Sequence, residues 1–422
     1  MKIAVFGSTL NAAVMGALFA ERGHSVIWCP ESDIRFFHVH NLPFDSNLKK
    51  IIELQQLNGA LKICDLSQIL KYEFDVYFLA FNPSKLDVAI ELAHKLKAEP
   101  IIHPKLMVNS STFGLQGTKT LQDILSKDAW VYIPDMTQEG SSVENIEQST
   151  SIVIGTNEDA FAKKQIKELL RPIYPRMHQL IFMPILDAEF TKMSISGMLA
   201  TRISYMNDLS LVAEKLNIDI ENVRLGVGAD SRIGPSYLYS GVGFGGENFS
   251  RDILALSQTV TDSGNRSRLL QQVWEINEQQ KELLFRKFWN YYQADIQGKT
   301  VAIWGASFRE SSSSIINSPI HSLLQAFWAQ KVTVRLHDPR ALPEIEKVYG
   351  ARDDLILCDD QYEAAENAHA LCLVTAWKQY WSPDYRRLKN VMQHPFILDG
   401  RNIYDPHYVK EEGFAYEGVG RL

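Results

Sequence analysis

Short apolar runs alternate with amphipathic stretches through the first 180 residues: KIAVF, SVIWC, DVYFLAF, LMVNS, WVYIP and SIVIG. A strand that must be followed by another in the same direction needs a crossover, so this alternation predicts a parallel sheet with helices on both faces. From Asp187 to about Tyr291 the strand signal disappears, apart from one glycine-rich loop. TRISYMNDLSLVAEKLN and SRLLQQVWEINEQQKELLFRKFWNYY carry apolar residues at three- and four-residue spacing, which predicts long helices. The alternation then resumes in KTVAIWGASF, KVTVRLHDP, HALCLVTAW and PFILDGRNIY. The expected fold is two Rossmann-like, doubly wound parallel-sheet α/β domains joined by a long central helix and helical middle domain, with boundaries at 1–180, 181–292 and 293–422. A chain of 422 residues is long enough for more than one core.

A net charge of −7, 22% charged residues and no charge block argue against a nucleic-acid or membrane-surface role. The four cysteines, Cys29, Cys64, Cys358 and Cys372, form no CxxC pair and no metal-ligand spacing. This usage suits a reducing, cytoplasmic setting with neither a disulfide framework nor a metal site. The opening MKIAVFGSTLNAAVMGALFA is interrupted by Gly7, Ser8, Thr9 and Asn11, so it reads as strand, turn and helix rather than as a signal peptide. No apolar run reaches membrane-spanning length.

That first turn is testable as a dinucleotide site, which needs glycines for the tight turn, for pyrophosphate approach and for helix packing. GSTLNA supplies Gly7 but places Thr9 second and Ala12 third. The second strand, which should end on an acid for the ribose, ends at Pro30 with Glu31 one place later. Gly7, Thr9, Leu10, Asn11 and Glu31 are the candidate cofactor residues, with NAD expected to be held weakly or lost because Thr9 adds a branched side chain.

The segments EFTKMSISGMLATRISYMND, GADSRIGPSYLYSGVGFGGENFSRDILAL, GASFRESSSSIINSP and ILDGRNIYDP follow one another in order across the middle and C-terminal regions. In them the chain resembles the UDP-glucose/GDP-mannose dehydrogenase family. The resemblance implies an NAD-binding lobe, a central helix used for homodimerisation, a UDP-sugar-binding lobe, and twofold oxidation of a sugar C6 alcohol to an acid. That oxidation passes through a thiohemiacetal and a thioester, so it needs a thiolate. Aligned with the family's GGSCFPKD, GGENFSRD places Asn248 at the nucleophile, and an amide cannot form the adduct.

Other roles the resemblance implies are kept. Lys192 matches the lysine that stabilises the alkoxide, Asp252 the carboxylate that orders the water, and Ser196 replaces an asparagine. Asp135 replaces, and Glu139 matches, the two glutamates of PEFLREG; in NSST, Ser111 and Thr112 face the cofactor and the water. For the UDP-sugar, the resemblance implies a wrapping loop with Tyr237, Leu238, Gly243, Phe244, Gly245 and Gly246, together with Arg232 across the dimer, Arg309 at the diphosphate and Arg401 at the uridine. SSSIINSP replaces the family's TDDMRESP, so Ile316 stands where an arginine holds the NAD pyrophosphate.

Two readings remain open: a UDP-sugar-binding pseudoenzyme that serves an active paralogue or glycan-assembly partner in polysaccharide biosynthesis, and an NAD-dependent oxidoreductase performing a single two-electron step. A hydroxy-acid dehydrogenase leaves the C-terminal DGRNIYDP region unexplained.

Overall fold

The computed structural model describes residues 1–31, 46–70, 72–98, 106–126, 128–265 and 268–421. It comprises two compact units, Met1–Ser194 and Ile195–Leu422, and the division falls inside one helix.

The N-terminal unit is built on one sheet of eight strands: β1 Lys2–Phe6, β2 Ser25–Cys29, β3 Leu61–Ile63, β4 Val76–Leu79, β5 Leu106–Asn109, β6 Ala129–Tyr132, β7 Ile152–Gly155 and β8 Leu180–Met183. Their order is β3-β2-β1-β4-β5-β6-β7-β8. Successive residues of β1 enter different cores: Ile3 and Val5 pack on one face, Ala4 and Phe6 on the other. Burial on both faces is what a parallel sheet requires, and it explains why β1 reads as a continuous apolar run. The parallel expectation fails at one place, since β6 and β7 meet antiparallel through Tyr132 and Gly155.

At that junction a Cβ on Gly155 would lie 2.9 Å from both the Ala188 Cβ and the Ile185 Cα. Only a missing side chain lets the helix Ile185–Leu216 cross so close to the strand.

The C-terminal unit carries β9 Thr300–Trp304, β10 Thr333–His337, β11 Leu355–Leu357, β12 Ala370–Leu373, β13 Phe396–Asp399 and β14 Ala415–Gly418. All are parallel, in the order β11-β10-β9-β12-β13-β14. This is the doubly wound order, whose direction reverses between β9 and β12; ligands bind such sheets at the carboxyl ends of the strands flanking that reversal. The corresponding reversal in the first sheet lies between β1 and β4.

Four strands escape the sequence pattern. β3 and β11 are three residues each, too short to show a period. β14 is the polar run AYEG, and the apolar LIFM of β8 runs through Pro184 into the long helix and merges with its pattern.

Within the C-terminal unit, helices Ile220–Ala229, Glu247–Asp262, Arg268–Lys281 and Leu283–Tyr291 accompany the C-terminal part of the long helix. The buried face of that part is partly polar: Ser196, Ser204, Asn207 and Ser210 are all at most 3% exposed. Near its end Glu214 accepts from Lys287 Nζ at 2.6 Å and from the Gly420 amide at 3.0 Å.

Replacing Gly155 with Val should destabilise the protein by roughly 1–3 kcal/mol through overpacking against backbone, read as a lower denaturant midpoint. His321, in the helix Ile320–Ala329, holds the Ile315 carbonyl through Nε2 at 2.8 Å and meets the Tyr349 hydroxyl through Nδ1 at 2.6 Å. Burial lowers its pKa, so the unfolded chain takes up the proton first. Its contribution is complete above the unfolded value of about 6.5 and is lost as pH falls through the interval below it. Thermal midpoints measured from pH 7.5 to 5 should therefore fall less steeply in His321→Gln than in the native chain.

Candidate functional site

In the N-terminal unit the turn after β1 is held from several sides. Gly7 has φ +118°, and a Cβ there would lie 2.0 Å from the Ala80 carbonyl oxygen at the end of β4. Thr9 caps the helix Leu10–Glu21: its hydroxyl accepts from the Ala12 amide at 3.2 Å and donates to Ala80 O at 2.7 Å. Of the branched side chain expected to obstruct the cofactor, the hydroxyl branch is thus turned into the turn itself. Leu10 and Asn11 open the helix, where backbone amides have no intrahelical carbonyl to meet. The Asn11 side chain is buried and donates to Ser110 Oγ at 2.7 Å, so it braces β5.

Glu31 lies beyond β2 with its backbone amide donating to Ser8 Oγ at 3.0 Å. Its Oε1 is buried with no hydrogen-bond partner, and burial raises the carboxyl pKa against the opposing effect of amides at Asn82 and Ser8. Beside it is a cavity of about 390 Å³ lined by Cys29, Pro30, Asp65, Phe81 and Leu92. An orphaned carboxylate oxygen at the mouth of a half-apolar cavity fits the ribose and base of a dinucleotide.

On the same unit Ser111 is buried, accepting from the Phe81 amide at 2.9 Å and donating to Leu79 O, while Thr112 is half-buried. Asp135 closes an Asx turn on Thr137, and Glu139 Oε2 is buried without a partner. The sequence reading missed Glu189, which accepts from the amides of Gln116 and Thr118 at 2.7 and 2.9 Å and so caps the helix Gly117–Ile124. Lys192, three residues on, is half-buried.

In the C-terminal unit the loop from Tyr237 to Gly246 is fastened residue by residue. Asn207 Oδ1 accepts from the Gly241 amide at 2.9 Å. Asn277 makes a two-way pair with Phe244, accepting from its amide at 2.7 Å and donating to its carbonyl at 3.1 Å. The glycines are needed first by the protein: a Cβ on Gly243 would sit 2.9 Å from Asn277 Oδ1, one on Gly245 2.5 Å from Asn317 O, and one on Gly246 2.9 Å from the Phe308 ring. Leu238 is buried, and Tyr237 adopts φ +60° with its ring near that of Phe249.

Gly246 leads into the helix Glu247–Asp262, whose first turn carries Asn248. Asn248 is exposed and its Oδ1 accepts from Arg251 Nη2 at 2.8 Å; Arg251 Nη1 lies 3.5 Å from Glu247. One turn on, Asp252 is buried and accepts from Ser196 Oγ at 2.8 Å. Ser196 itself lies one turn beyond Lys192 on the long helix, so the two share a face.

At the switch point of the second sheet, Arg401 Nε donates to Val374 O at 2.6 Å while Nη2 is buried and unpartnered. Desolvation pushes this guanidinium down to about 10, although Glu310 and Asp399 pull the other way. Buried Asp399 shapes the turn by accepting from the amides of Arg401 and Tyr404. Arg309 is half-buried and makes no hydrogen bond or ion pair with another described residue. Arg232 is the exception among the expected residues: it is exposed and held by Asp230 at 3.0 and 2.7 Å.

Where a dinucleotide lobe would keep an acid for ribose, this lobe has Asp338. Its Oδ2 is taken by the amides of Ala306 and Ser307, the Ser307 hydroxyl and the Trp377 indole.

Residues 1–177 match the NAD binding domain of the UDP-glucose/GDP-mannose dehydrogenase family, residues 186–279 its central domain and residues 302–406 its UDP binding domain. A UDP-glucose 6-dehydrogenase of Pseudomonas aeruginosa is 32% identical over 447 residues, spanning 100% of this chain and 98% of that protein. This chain belongs to the UDP-glucose/GDP-mannose dehydrogenase family. The UDP-glucose 6-dehydrogenase of Rhizobium meliloti, 29% identical, spans 100% of both chains. A UDP-glucose dehydrogenase structure from Pyrobaculum islandicum shares the fold, with a TM-score of 0.87 at 22% identity over 100% of this chain and 98% of that one. The presence of the family's NAD-binding domain, with the Thr9 hydroxyl turned inward, leaves the expected loss of NAD unsupported.

If Arg401 meets the nucleotide in this family member, Arg401→Met should weaken UDP binding by about 10- to 100-fold, the range for a charge-assisted hydrogen bond, as measured by calorimetric titration.

Proposed function

We propose that this family member binds a UDP-sugar, UDP-glucose being the first to test, together with NAD, and that it lacks the thiolate needed for four-electron oxidation to the uronic acid. The observation that carries the reading is the state of its thiols. Asn248 occupies the place aligned with the nucleophile, and burial raises the pKa of all four cysteines: Cys29 to about 12, Cys358 to about 11, Cys372 higher still, with Cys64 also raised. Cys358 and Cys372 are buried in the second sheet's core and Cys29 in that of the first. Burial therefore works against the thiolate at every cysteine, least at the partly exposed Cys64.

In this reading the domains divide at 1–180, 181–292 and 293–422. NAD, held by Gly7, Leu10, Glu31 and Ser111, would supply a hydride acceptor. Lys192 would donate to the sugar oxygen and Asp252, fixed by Ser196, would hold water. Arg309 with its uncommitted guanidinium and Arg401 with its orphaned Nη2 would take the diphosphate and uridine. Homodimerisation along the long helix is supported by exposed Met198, Tyr205, Val212 and Leu216, which recur near heptad spacing. A cytoplasmic location is supported by the free cysteines; among the described residues no helix is long and apolar enough to cross a membrane.

The test is product analysis with UDP-glucose and NAD. The native chain should form no uronic acid and fewer than two NADH per sugar, while Asn248→Cys should raise NADH formation at least tenfold. Steady turnover to the acid by the native chain would overturn the reading.

A further inference from the structure

The loop between β9 and the helix Ile320–Ala329 carries Arg309 near one end and Asn317 near the other. It is closed on itself: the Phe308 amide donates to Ser314 O at 3.0 Å, and Ser318 Oγ donates to Ala306 O at 2.7 Å. Asn317 adopts φ +57°, a conformation asparagine tolerates better than most residues. Its side chain reaches both ways. Oδ1 accepts from Lys281 Nζ at 2.8 Å, and Nδ2 donates to Ser250 Oγ, in the first turn of the helix Glu247–Asp262, at 2.6 Å.

Lys281 is an unusual anchor, since an ammonium only 2% exposed must be paired to be tolerated. Its other partners are Glu278 at 2.8 Å and the Trp274 ring at 5.6 Å. The backbone repeats the connection made by the side chain: the Gly246 amide donates to Ile316 O at 2.9 Å, and Asn317 O lies where a Cβ on Gly245 would fall. One short segment therefore joins the loop that bears Arg309, a buried cation, and the turn that bears Asn248.

We propose that Asn317 is a positioning residue that couples the two halves of the ligand: occupation of the Arg309 loop by a nucleoside diphosphate tightens the Glu247–Asp252 turn through the Asn317–Ser250 bridge. This rests on the UDP-sugar reading above. A nucleotide that orders the loop also orders the residue facing the sugar, so UDP prepares the turn before any sugar contact is made. Lys281 fixes the Oδ1 end, leaving Nδ2 with one place to donate.

Hydrogen exchange of the full chain, with and without UDP, tests this in four forms. In the native chain UDP should slow exchange over 308–318 and also over 247–252. Ser250→Ala removes the side-chain link and leaves the Gly246–Ile316 backbone bond, so the UDP effect on 247–252 should shrink by about tenfold while that on 308–318 stays, with 247–252 also exchanging about tenfold faster than native in the free protein, the effect of one lost hydrogen bond. Asn317→Gly keeps the backbone conformation and should behave alike. Asn317→Asp keeps the acceptor for Lys281 and can accept from the Ser250 hydroxyl, so it should restore the native pattern. The coupling is overturned if UDP protects 247–252 equally in Ser250→Ala and native chains. Absence of any UDP effect on the native chain removes the UDP-sugar reading instead, and the bridge is then judged on the free proteins: equal exchange over 247–252 in native and Ser250→Ala chains refutes it.

Discussion

The polar stripe along the buried face of the long helix decides where the rest of the C-terminal unit can go. A helix that buries serine and asparagine must supply them with partners. Ser196 takes Asp252, Ser204 takes the Val273 carbonyl at 2.8 Å, Asn207 takes the Gly241 amide, and Glu214 takes Lys287 and Gly420. Each of those partners belongs to a different segment, so one helix fixes the helix Glu247–Asp262, the glycine loop and the turn after the last strand against a common ruler. An apolar stripe would have bound these segments equally well by area but without fixing their register.

The six strands of the second sheet repeat the order of the first six strands of the first, but the acids that follow the second strand in each are used differently. Glu31 keeps an oxygen buried and unpartnered beside a cavity, whereas every donor within reach of the Asp338 Oδ2 is already its own. An acid close after the second strand is thus left with an open oxygen in one lobe and is consumed by the protein's own turn in the other.

Much of this was legible in the sequence. The alternation of apolar runs gives ten of the fourteen strands, and no strand lies between Asp187 and Tyr291 among the described residues. The antiparallel β6–β7 junction was not legible, because nothing in a strand's composition tells its direction. Nor was the function of the loop glycines: a run rich in glycine reads as room for a ligand, and only packing shows that Gly243, Gly245 and Gly246 are required by Asn277, Asn317 and Phe308. Asn207 and Asn277 were not legible either, since a helical pattern does not separate a buried asparagine from a solvated one. Lys281 and Asn317 left no trace, since a lysine near the end of a charged helix resembles a solvated one.

Residues 417–421 bond to charged side chains far back along the chain. Gly420 meets Glu214 across 206 positions, Arg421 meets Asp219 across 202, and Glu417 meets Lys287 across 130. During synthesis the long helix and its neighbours emerge long before these partners exist. Lys287, 6% exposed in the finished fold, then has Glu214 but not Glu417, and the Glu214 carboxylate lacks the Gly420 amide. Any assembly of the helical middle that precedes the strand Ala415–Gly418 therefore has a nearly buried lysine with one of its two carboxylates missing.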